Sequence, residues 1–530
     1  MNRWEQSRAV FTLHVDCSKN RLPSIDYLPS VLPKKASIIG SGFAGLSAAT
    51  FLAHHGWEVD VFEKHDQPGG RCRHFKQEGF TFDMGPSWYW MPDVFEHYFS
   101  SFGKKIDDYY TLHRLDPSYR IYWSDDHMDV PANYRELKDL FESMEPGAGK
   151  QLDQFMSEAE YKYQVGINKL VFKPGQSLME LVDGELIRGL FKLDVFKDIQ
   201  SHIARFFKHP KIRQMMEFPV LFLGALPEHT PALYSLMNYA DIKLGTWFPV
   251  GGMYKIVEGM HRLAVEKGVR FHFNSNVTSI EVEENTATGI RLQNGALHLS
   301  DAVIGAADYH FIETQLLHAP HRSYSDRYWD KRVMAPGCLI YYVGINTRIP
   351  GLQHHSLFFD VPFSDHAQEI YTHPSWPAAP LFYLSATSVT DPSQAPEGGE
   401  NLFFLIPIAA GLDGDNESIR EHYFNLLCER LQNRTGVDIR NHVVIKRAYS
   451  YSNFVEDYNA FKGNAYGLAN TLMQTAHLKP SCKSKKVKHL YYTGQLTVPG
   501  PGVPPSLISG EVVAGLVHKE IVPGLKLYPY

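Results

Sequence analysis

A glycine-rich turn between two short apolar runs restricts the folds open to this chain. Residues 36–39 form an apolar run typical of a buried parallel strand, and they lead straight into the GxGxxG sequence of residues 40–45. Alanines and leucines then recur at helical spacing as far as Gly56, and a second apolar run over 59–62 ends at Glu63. A strand, a glycine loop, a helix, a strand and an acidic residue in this order predict a dinucleotide-binding βαβ unit.

Each position of this unit has a physical task. Gly40 permits the tight turn, Gly42 lets a pyrophosphate approach the backbone, and Gly45 allows the helix to pack closely on the strand. The first turn of the helix offers free N–H groups and a favourable dipole to phosphate. Glu63 is placed to accept hydrogen bonds from an adenosine ribose. The predicted nucleotide contacts are Gly40, Ser41, Gly42, Phe43, Ala44, Gly45 and Glu63.

Two further turns follow the second strand. Lys64 is followed by a glycine pair, of which Gly70 precedes Arg71. Glycines at this point would let the chain pass close to a second stretch of a dinucleotide, and the Arg71 guanidinium offers donors to a phosphate or a ribityl oxygen. Residues 82–87 add another tight turn in an aromatic setting. The candidate contacts in these turns are Lys64, Gly70, Arg71, Gly85, Pro86 and Ser87.

The segments GSGFAGLSAA, EKHDQPGGR and FDMGPS together resemble the flavin amine oxidase and phytoene desaturase superfamily. Members bind FAD with the first of these segments and return to the cofactor near the C-terminus. The resemblance extends from about residue 36 to about residue 517. It implies FAD as the cofactor and places the backbone of Val277 against the adenine.

The C-terminal segment is similar to the phytoene desaturase pattern rather than to the amine oxidases. Residues 489–494 predict a strand, and glycines and prolines over 498–504 predict a rigid loop before a helix that begins near Ser506. Free N–H groups in such a loop can face a flavin ring or its ribityl chain. Many members have histidine where this chain has Val498, which leaves the subfamily and the product open. The predicted contacts are Gly494, Gly502, Val503 and Pro504.

The expected fold is α/β, with a Rossmann-like FAD-binding domain, an inserted mixed α+β substrate domain, and a helical subdomain that could associate with a membrane. Apolar residues recur at helical spacing over 151–239. The apolar run over 218–226 belongs either to the core or to an apolar entrance to the protein at a membrane interface. The predicted boundaries are 1–34 for an N-terminal extension, 35–102 with 248–310 and 485–520 for the FAD domain, 103–150 with 311–484 for the substrate domain, and 151–247 for the helical subdomain.

Composition excludes several classes of function. The net charge is −6 without long runs of one sign, so no nucleic-acid partner is predicted. The five cysteines have no metal-ligand spacing, and His354, His355 and His373 are interpreted as loop or surface residues, so no metal is predicted. No apolar run is long enough to span a bilayer and no secretory signal is evident, which favours a cytoplasmic, peripherally membrane-associated protein. The basic stretch over 479–488 is interpreted as a solvated loop, with binding to anionic lipid as the alternative.

The resemblance implies a carotenoid desaturase that introduces double bonds into phytoene or a similar polyene, towards neurosporene or lycopene, by hydride transfer to FAD. The partners would be a long apolar polyene, a membrane surface, and a quinone or oxygen as electron acceptor. An allylic cation spreads its charge, so one weak base is enough. No catalytic residue is identified: Asp83 and Asp308 could act as the base or could fix turns near the cofactor.

Other functions on the same scaffold stay open. These are a carotene isomerase, a retinol-saturase-like reductase, a diapophytoene desaturase, and a non-catalytic protein that binds flavin or carotenoid. An amine oxidase is disfavoured because residues 498–507 are apolar.

Overall fold

The computed structural model describes residues 33–175, 194, 197–221 and 226–522. Most of the predicted N-terminal extension, the apolar pattern over 178–191 and part of the apolar run over 218–226 therefore lie outside the described residues. Contacts group the chain from Lys34 onward into one unit. The three-part division of this unit stays a prediction.

Strands are distributed over the whole of this unit. In chain order they are β1 (Lys35–Ile39), β2 (Glu58–Phe62), β3 (His74–Gln77), β4 (Phe80–Asp83), β5 (Leu112–Arg114), β6 (Tyr119–Tyr122), β7 (His127–Val130), β8 (Trp247–Pro249), β9 (Arg270–His272), β10 (Val277–Glu283), β11 (Thr286–Leu292), β12 (Leu297–Leu299), β13 (Ala302–Gly305), β14 (Gly337–Ile345), β15 (His355–Phe358), β16 (Phe382–Ser385), β17 (Glu400–Ile408), β18 (Val443–Tyr449) and β19 (Leu490–Tyr492).

Helices cover the sheets and fill the region between β7 and β8. In chain order they are α1 (Phe43–His54), α2 (Pro92–Ser100), α3 (Tyr134–Met144), α4 (Ala148–Val165), α5 (Ile199–Ala204), α6 (Pro210–Leu221), α7 (Leu236–Tyr239), α8 (Tyr254–Glu266), α9 (Tyr309–Phe311), α10 (Asp326–Asp330), α11 (Phe363–Tyr371), α12 (Glu417–Thr435), α13 (Tyr451–Tyr458) and α14 (Val503–Ile521). Among the described residues, no helix is both long enough and apolar enough to cross a bilayer.

A parallel sheet holds the predicted βαβ unit. Its strand order is β19-β13-β1-β2-β9, so distant segments of the chain pair with the first strand. Ile38 of β1 lies between Val61 of β2 and Ile304 of β13, and all three side chains are fully buried. Burial on both faces explains why these strands read as continuous apolar runs. The strand predicted over 489–494 joins this sheet as β19, at its edge beside β13.

The C-terminal helix α14 crosses α1 at very short range. A side chain at Gly510 would place its Cβ 2.4 Å from the carbonyl oxygen of Ala44 and 2.6 Å from the Cβ of Ser47. The Ser47 hydroxyl donates a hydrogen bond to the carbonyl of Leu507 at 2.7 Å. This contact brings the end of the chain onto the first helix.

A seven-stranded sheet, β18-β14-β17-β16-β15-β6-β7, forms the second layer. Alternate residues on its strands point to opposite faces. One face packs against α12, where Leu384 and Phe404 meet Phe424 in a buried cluster. The opposite face, with Leu357 and Tyr383, belongs to the main core and lines a cavity.

Local sequence features mark the starts of two helices. Helix α12 begins after Asn416, whose side chain accepts a hydrogen bond from the N–H of Ile419. The predicted start near Ser506 is wrong, because α14 begins at Val503. Pro504 and Pro505 occupy its first turn, where a missing N–H costs nothing.

Candidate functional site

A cavity of about 470 Å³ lies where the βαβ unit faces the seven-stranded sheet. Such a volume is typical of cofactor and substrate sites. Its polar part is formed by the glycine loop and the ends of β2 and β10. Its apolar part is formed by aromatic and aliphatic side chains from the sheet and from α11.

The glycine loop leaves open space beside its second glycine. Gly40 has φ +101°, and its N–H donates to the carbonyl of Phe62 at 2.8 Å, which makes the tight turn. A Cβ at Gly42 would meet no protein atom within 4 Å, whereas a Cβ at Gly45 would lie 2.1 Å from the Gly40 carbonyl oxygen. Gly45 therefore serves helix–strand packing, and Gly42 opens onto the cavity.

Glu63 ties the loop to the end of β2. Its buried carboxylate accepts hydrogen bonds from the Ser41 N–H at 2.9 Å, the Ser41 hydroxyl at 2.8 Å and the His65 N–H at 3.0 Å. A carboxylate has about four acceptor positions, so one remains for a further donor such as a ribose hydroxyl.

The Arg71 side chain offers a donor to the cavity. One guanidinium nitrogen donates to the carbonyl of Asn464 at 3.3 Å, and the guanidinium lies 5.2 Å from the centre of the Tyr458 ring. The buried Nε has no hydrogen-bond partner within the described structure. Burial lowers the pKa of Arg71 from its ordinary value. An arginine in the lining of a cavity fits an anionic ligand such as a pyrophosphate.

Nearly all the predicted contacts surround this cavity. Gly45 and Gly70 lie behind it: Gly70 has φ +55°, and a Cβ there would lie 3.3 Å from the Cα of Gly42. Their contact with a cofactor, like that of the residues in the lining, stays a prediction. Predicted residues that line the cavity are Gly40, Ser41, Gly42, Phe43, Ala44, Glu63, Lys64, Arg71, Gly85, Pro86, Ser87, Val277, Gly494, Gly502, Val503 and Pro504.

The C-terminal loop reaches the cavity from the other end of the chain. The Gly494 N–H donates to the Ser509 hydroxyl at 3.0 Å, which joins the end of β19 to α14. Thr497 and Pro501 line the cavity, whereas Val498 is buried in the core and is not part of the lining. The position at which many relatives of the resembled family have histidine is therefore a packing position in this chain.

The two aspartates considered as bases both fix turns. Asp83 does not line the cavity, and its two oxygens accept the N–H groups of Met253 at 2.7 Å and Tyr254 at 2.9 Å, at the start of α8. Asp308 lines the cavity, but its oxygens accept the N–H groups of Phe311 at 3.1 Å and Phe461 at 3.2 Å. Burial raises the pKa of each carboxyl group.

Replacement of Asp83 with asparagine should alter the pH dependence of stability. Burial raises the pKa of Asp83 from 3.8 to about 6, so the folded chain binds this proton more tightly than the unfolded chain. The contribution of Asp83 to the free energy of unfolding therefore falls as the pH rises from about 4 to about 6. We expect the stability difference between the unaltered protein and Asp83→Asn to shrink by about 2 kcal/mol between pH 4 and pH 7.

Urea unfolding at several pH values measures this difference. Asp308→Asn, also a buried cap, serves as the comparison. Loss of substrate-dependent flavin reduction in a stable, flavin-loaded Asp83→Asn protein would contradict the conclusion that Asp83 only caps α8 and takes no part in the reaction.

The apolar part of the cavity is walled by alternate residues of the seven-stranded sheet. Cys338 and Ile340 on β14 face it, and Leu405 and Pro407 on β17 continue the wall. Further lining side chains are Trp88, Trp90, Met91, Phe218, Met237, Leu357, Phe359, Phe363, Ile370, Tyr371, Leu381, Phe382, Tyr383 and Tyr466. This surface suits a long hydrocarbon and offers few polar groups.

Among the residues interpreted as loop or surface residues, two histidines and one lysine are buried. His354 and His355 are 4% and 0% exposed, because β15 begins at His355 and is buried in the sheet, while His373 is exposed as expected. Lys479 is also buried; its ammonium donates to the Asn470 side chain at 3.0 Å, and burial lowers its pKa to about 7. Apolar residues after His355 (Leu357 above all) were the signal that this segment is a strand.

One group of side chains in the described structure has metal-like spacing. It comprises Glu158, Asp194 and His202. The ammonium of Lys162 lies 3.2 Å from Asp194 and 3.3 Å from His202, so a positive charge is already present there. We assign no metal to this group.

Comparisons with known proteins cover almost the whole chain. Residues 43–518 match the family described as flavin containing amine oxidoreductase. The chain is 40% identical over 487 residues to a carotenoid 3,4-desaturase of Haloarcula japonica, covering 92% of this chain and 98% of that protein. It is 33% identical over 491 residues to a zeta-carotene-forming phytoene desaturase of Myxococcus xanthus, covering 91% and 93%.

Solved structures share the fold at low sequence identity. An oxidoreductase of Methanosarcina mazei superimposes with a TM-score of 0.59 at 15% identity, covering 91% of this chain and 100% of that one. Cyclohexylamine oxidase of Brevibacterium oxydans gives a TM-score of 0.55 at 14% identity, covering 92% and 99%. These two likenesses concern the fold alone.

Proposed function

Because this chain belongs to the flavin-containing amine oxidoreductases and, within them, to the carotenoid desaturases, we propose that it desaturates a long acyclic polyene of the phytoene type. The enzyme is an FAD-dependent oxidoreductase that acts on CH–CH bonds. The observation that carries the proposed substrate is the single cavity in which the nucleotide-binding loop and the apolar face of the sheet meet.

The residues of the polar part fit FAD. The open space beside Gly42 leaves room for a pyrophosphate, the Arg71 side chain in the lining offers guanidinium donors, and Glu63 keeps an acceptor for a ribose. We assign to this cofactor the predicted contacts that line the cavity, in the glycine loop, at Arg71, in the turn at 85–87, at Val277 and in the 494–504 segment. When bound, FAD supplies the hydride acceptor of the desaturation.

The protein contributes orientation and exclusion of water. Aromatic and aliphatic side chains of the sheet and of α11 line the part of the cavity that would hold the polyene. Burial of an apolar chain of this length is favourable at roughly 25 cal/mol per Å². The polyene would reach the channel from a membrane surface, with a quinone or oxygen as the final electron acceptor.

The bond that is oxidised remains to be assigned, and two candidates follow from the relatives. Phytoene, with products towards neurosporene or lycopene, agrees with the Myxococcus xanthus relative. The 3,4 bond of a more unsaturated carotenoid is the second candidate, because the identity to the Haloarcula japonica protein is higher, at 40% against 33%.

Product chromatography separates these candidates. Purified, FAD-loaded protein is incubated with phytoene or lycopene in liposomes, and the pigments are extracted. We expect at least one polyene to gain double bonds and to bleach the flavin under anaerobic conditions. A flavin that neither polyene bleaches would contradict desaturation and favour a binding protein, whereas isomerised or saturated products would favour the alternative enzymes.

A further inference from the structure

A buried tyrosine–histidine pair lies in the wall of the apolar part of the cavity. Tyr383 on β16 lines the cavity, and its hydroxyl lies 2.6 Å from Nδ1 of His355 on β15. The two strands are antiparallel neighbours, and His355 pairs with Ser385 in their register. Tyr383 is two residues from Ser385, so the side chains of Tyr383 and His355 lie on the same face of the sheet. His355 is 0% exposed.

The pair lies next to the turn at residues 85–87, which is predicted to contact the cofactor. Ser87 follows Gly85 and Pro86 directly, lines the cavity, and faces the Tyr383 hydroxyl. The Trp88 ring stacks on His355 with its centre 4.1 Å from the imidazole and an angle of 16° between the planes. A polyene carbon beside the Gly85–Ser87 turn would therefore lie close to the Tyr383 hydroxyl.

The pair has an unused hydrogen-bonding position. Burial, with the neighbouring His354, holds the pKa of His355 well below its ordinary value, so the imidazole is neutral. The Tyr383 hydroxyl then carries one proton and the neutral His355 ring carries one. The hydrogen bond between the two side chains uses only one of these protons. Nε2 of His355 is buried without a partner in the described structure.

We propose that Tyr383 and His355 accept the proton that leaves the polyene during desaturation. This inference rests on the proposed function. One C–H bond gives its hydrogen and electron pair to FAD, which is the oxidant and is reduced. Hydride transfer stays reversible until the neighbouring C–H bond breaks and its electron pair forms the new double bond, so reduced flavin accumulates only as this proton leaves. The proton goes to the Tyr383 oxygen as Tyr383 passes its own proton to Nδ1 of His355, and the proton returns to water when the product leaves.

A neutral pair is a sufficient base for this step. The hydrogen next to an allylic cation is strongly acidic, so the transfer does not need a carboxylate. Because burial lowers the basicity of His355, the ring is unprotonated at neutral pH and releases the proton readily after each turnover.

Anaerobic flavin reduction tests the proposal. The holoenzyme is mixed with whichever of phytoene and lycopene reduces its flavin, and the reduction rate is followed by absorbance. We expect Tyr383→Phe to slow reduction about 100-fold, the range that general base catalysis commonly supplies. His355→Gln keeps a hydrogen-bonding side chain but cannot take up a proton, and it should have a similar effect. Tyr341→Phe removes a buried hydroxyl from the opposite face of the same sheet, outside the cavity, and should stay within about twofold.

Two further readouts separate a proton acceptor from a structural role. Deuterium on the carbon that loses the proton should slow flavin reduction more in Tyr383→Phe than in the unaltered protein, because proton removal limits the rate in the variant. Binding of the same polyene to FAD-free protein, followed by tryptophan fluorescence, should be unchanged in Tyr383→Phe.

Two results would overturn the proposal: reduction of the Tyr383→Phe and His355→Gln flavins at the unaltered rate, or weaker polyene binding with normal reduction in the bound complex. If neither polyene reduced the flavin of the unaltered protein, the proposed function would fail first, and this inference with it.

Discussion

Replacement of Gly42 with leucine should abolish FAD retention and leave the protein folded. A Cβ at this position meets no protein atom within 4 Å, and the backbone has ordinary angles, φ −68° and ψ 179°. The leucine side chain would instead enter the part of the cavity proposed to hold the pyrophosphate. We expect the affinity for FAD to fall about 100-fold or more, which corresponds to about 3 kcal/mol of binding free energy.

The flavin absorbance of the purified protein and the thermal unfolding of its FAD-free form measure the two halves of this prediction. Gly45→Ala is the informative contrast, since its Cβ would lie 2.1 Å from the Gly40 carbonyl oxygen and should damage the fold itself. A Gly42→Leu protein with a normal flavin spectrum would refute the placement of the cofactor.

Replacement of Gly510 with alanine should destabilise the whole unit, although alanine is normally the better helix residue. The new Cβ would lie 2.4 Å from the Ala44 carbonyl oxygen, 2.6 Å from the Cβ of Ser47 and 2.8 Å from the Ala48 nitrogen. Two of these atoms belong to the backbone of α1, so the helices must separate. We expect a loss of about 3 kcal/mol in the free energy of unfolding. Separation would also displace the start of α1, and FAD should dissociate more readily.

The same substitution five residues later provides the control. A Cβ at Gly515 meets nothing within 4 Å, so Gly515→Ala should stabilise α14 by up to about 1 kcal/mol. Urea unfolding of both variants decides the matter: equal stabilities would show that the crossing of α1 and α14 tolerates a side chain.

The nucleotide unit could be predicted from sequence because its signals are local. A strand, a glycine loop, a helix and a strand within residues 36–63 each depend on near neighbours, and the structure places them in one parallel sheet.

The errors at His355 and Lys479, and the choice left open for Asp83, concern residues whose environment is set by distant segments. His355 lies in a polar stretch of sequence, but pairing of β15 with β6 and β16 buries it. Lys479 belongs to a basic segment that reads as a solvated loop, yet Asn470 and the loop around Gly500 enclose its ammonium. Asp83 has the chemistry of a base, and only its contact with the start of α8 shows that it caps a helix.

The order of residues along the chain was enough to indicate the βαβ unit, the FAD expected from the resemblance and the return of the chain near Gly494, because turns, capping and periodicity act between near neighbours. The tertiary structure alone decided that the end of the chain packs on α1 at Gly510, and that Tyr383 meets His355 beneath Trp88. Tyr383 and His355 are 28 residues apart, and the other contacts join segments hundreds of residues apart. Burial, which sets both the room around a glycine and the charge of a histidine, exists only once those segments have packed.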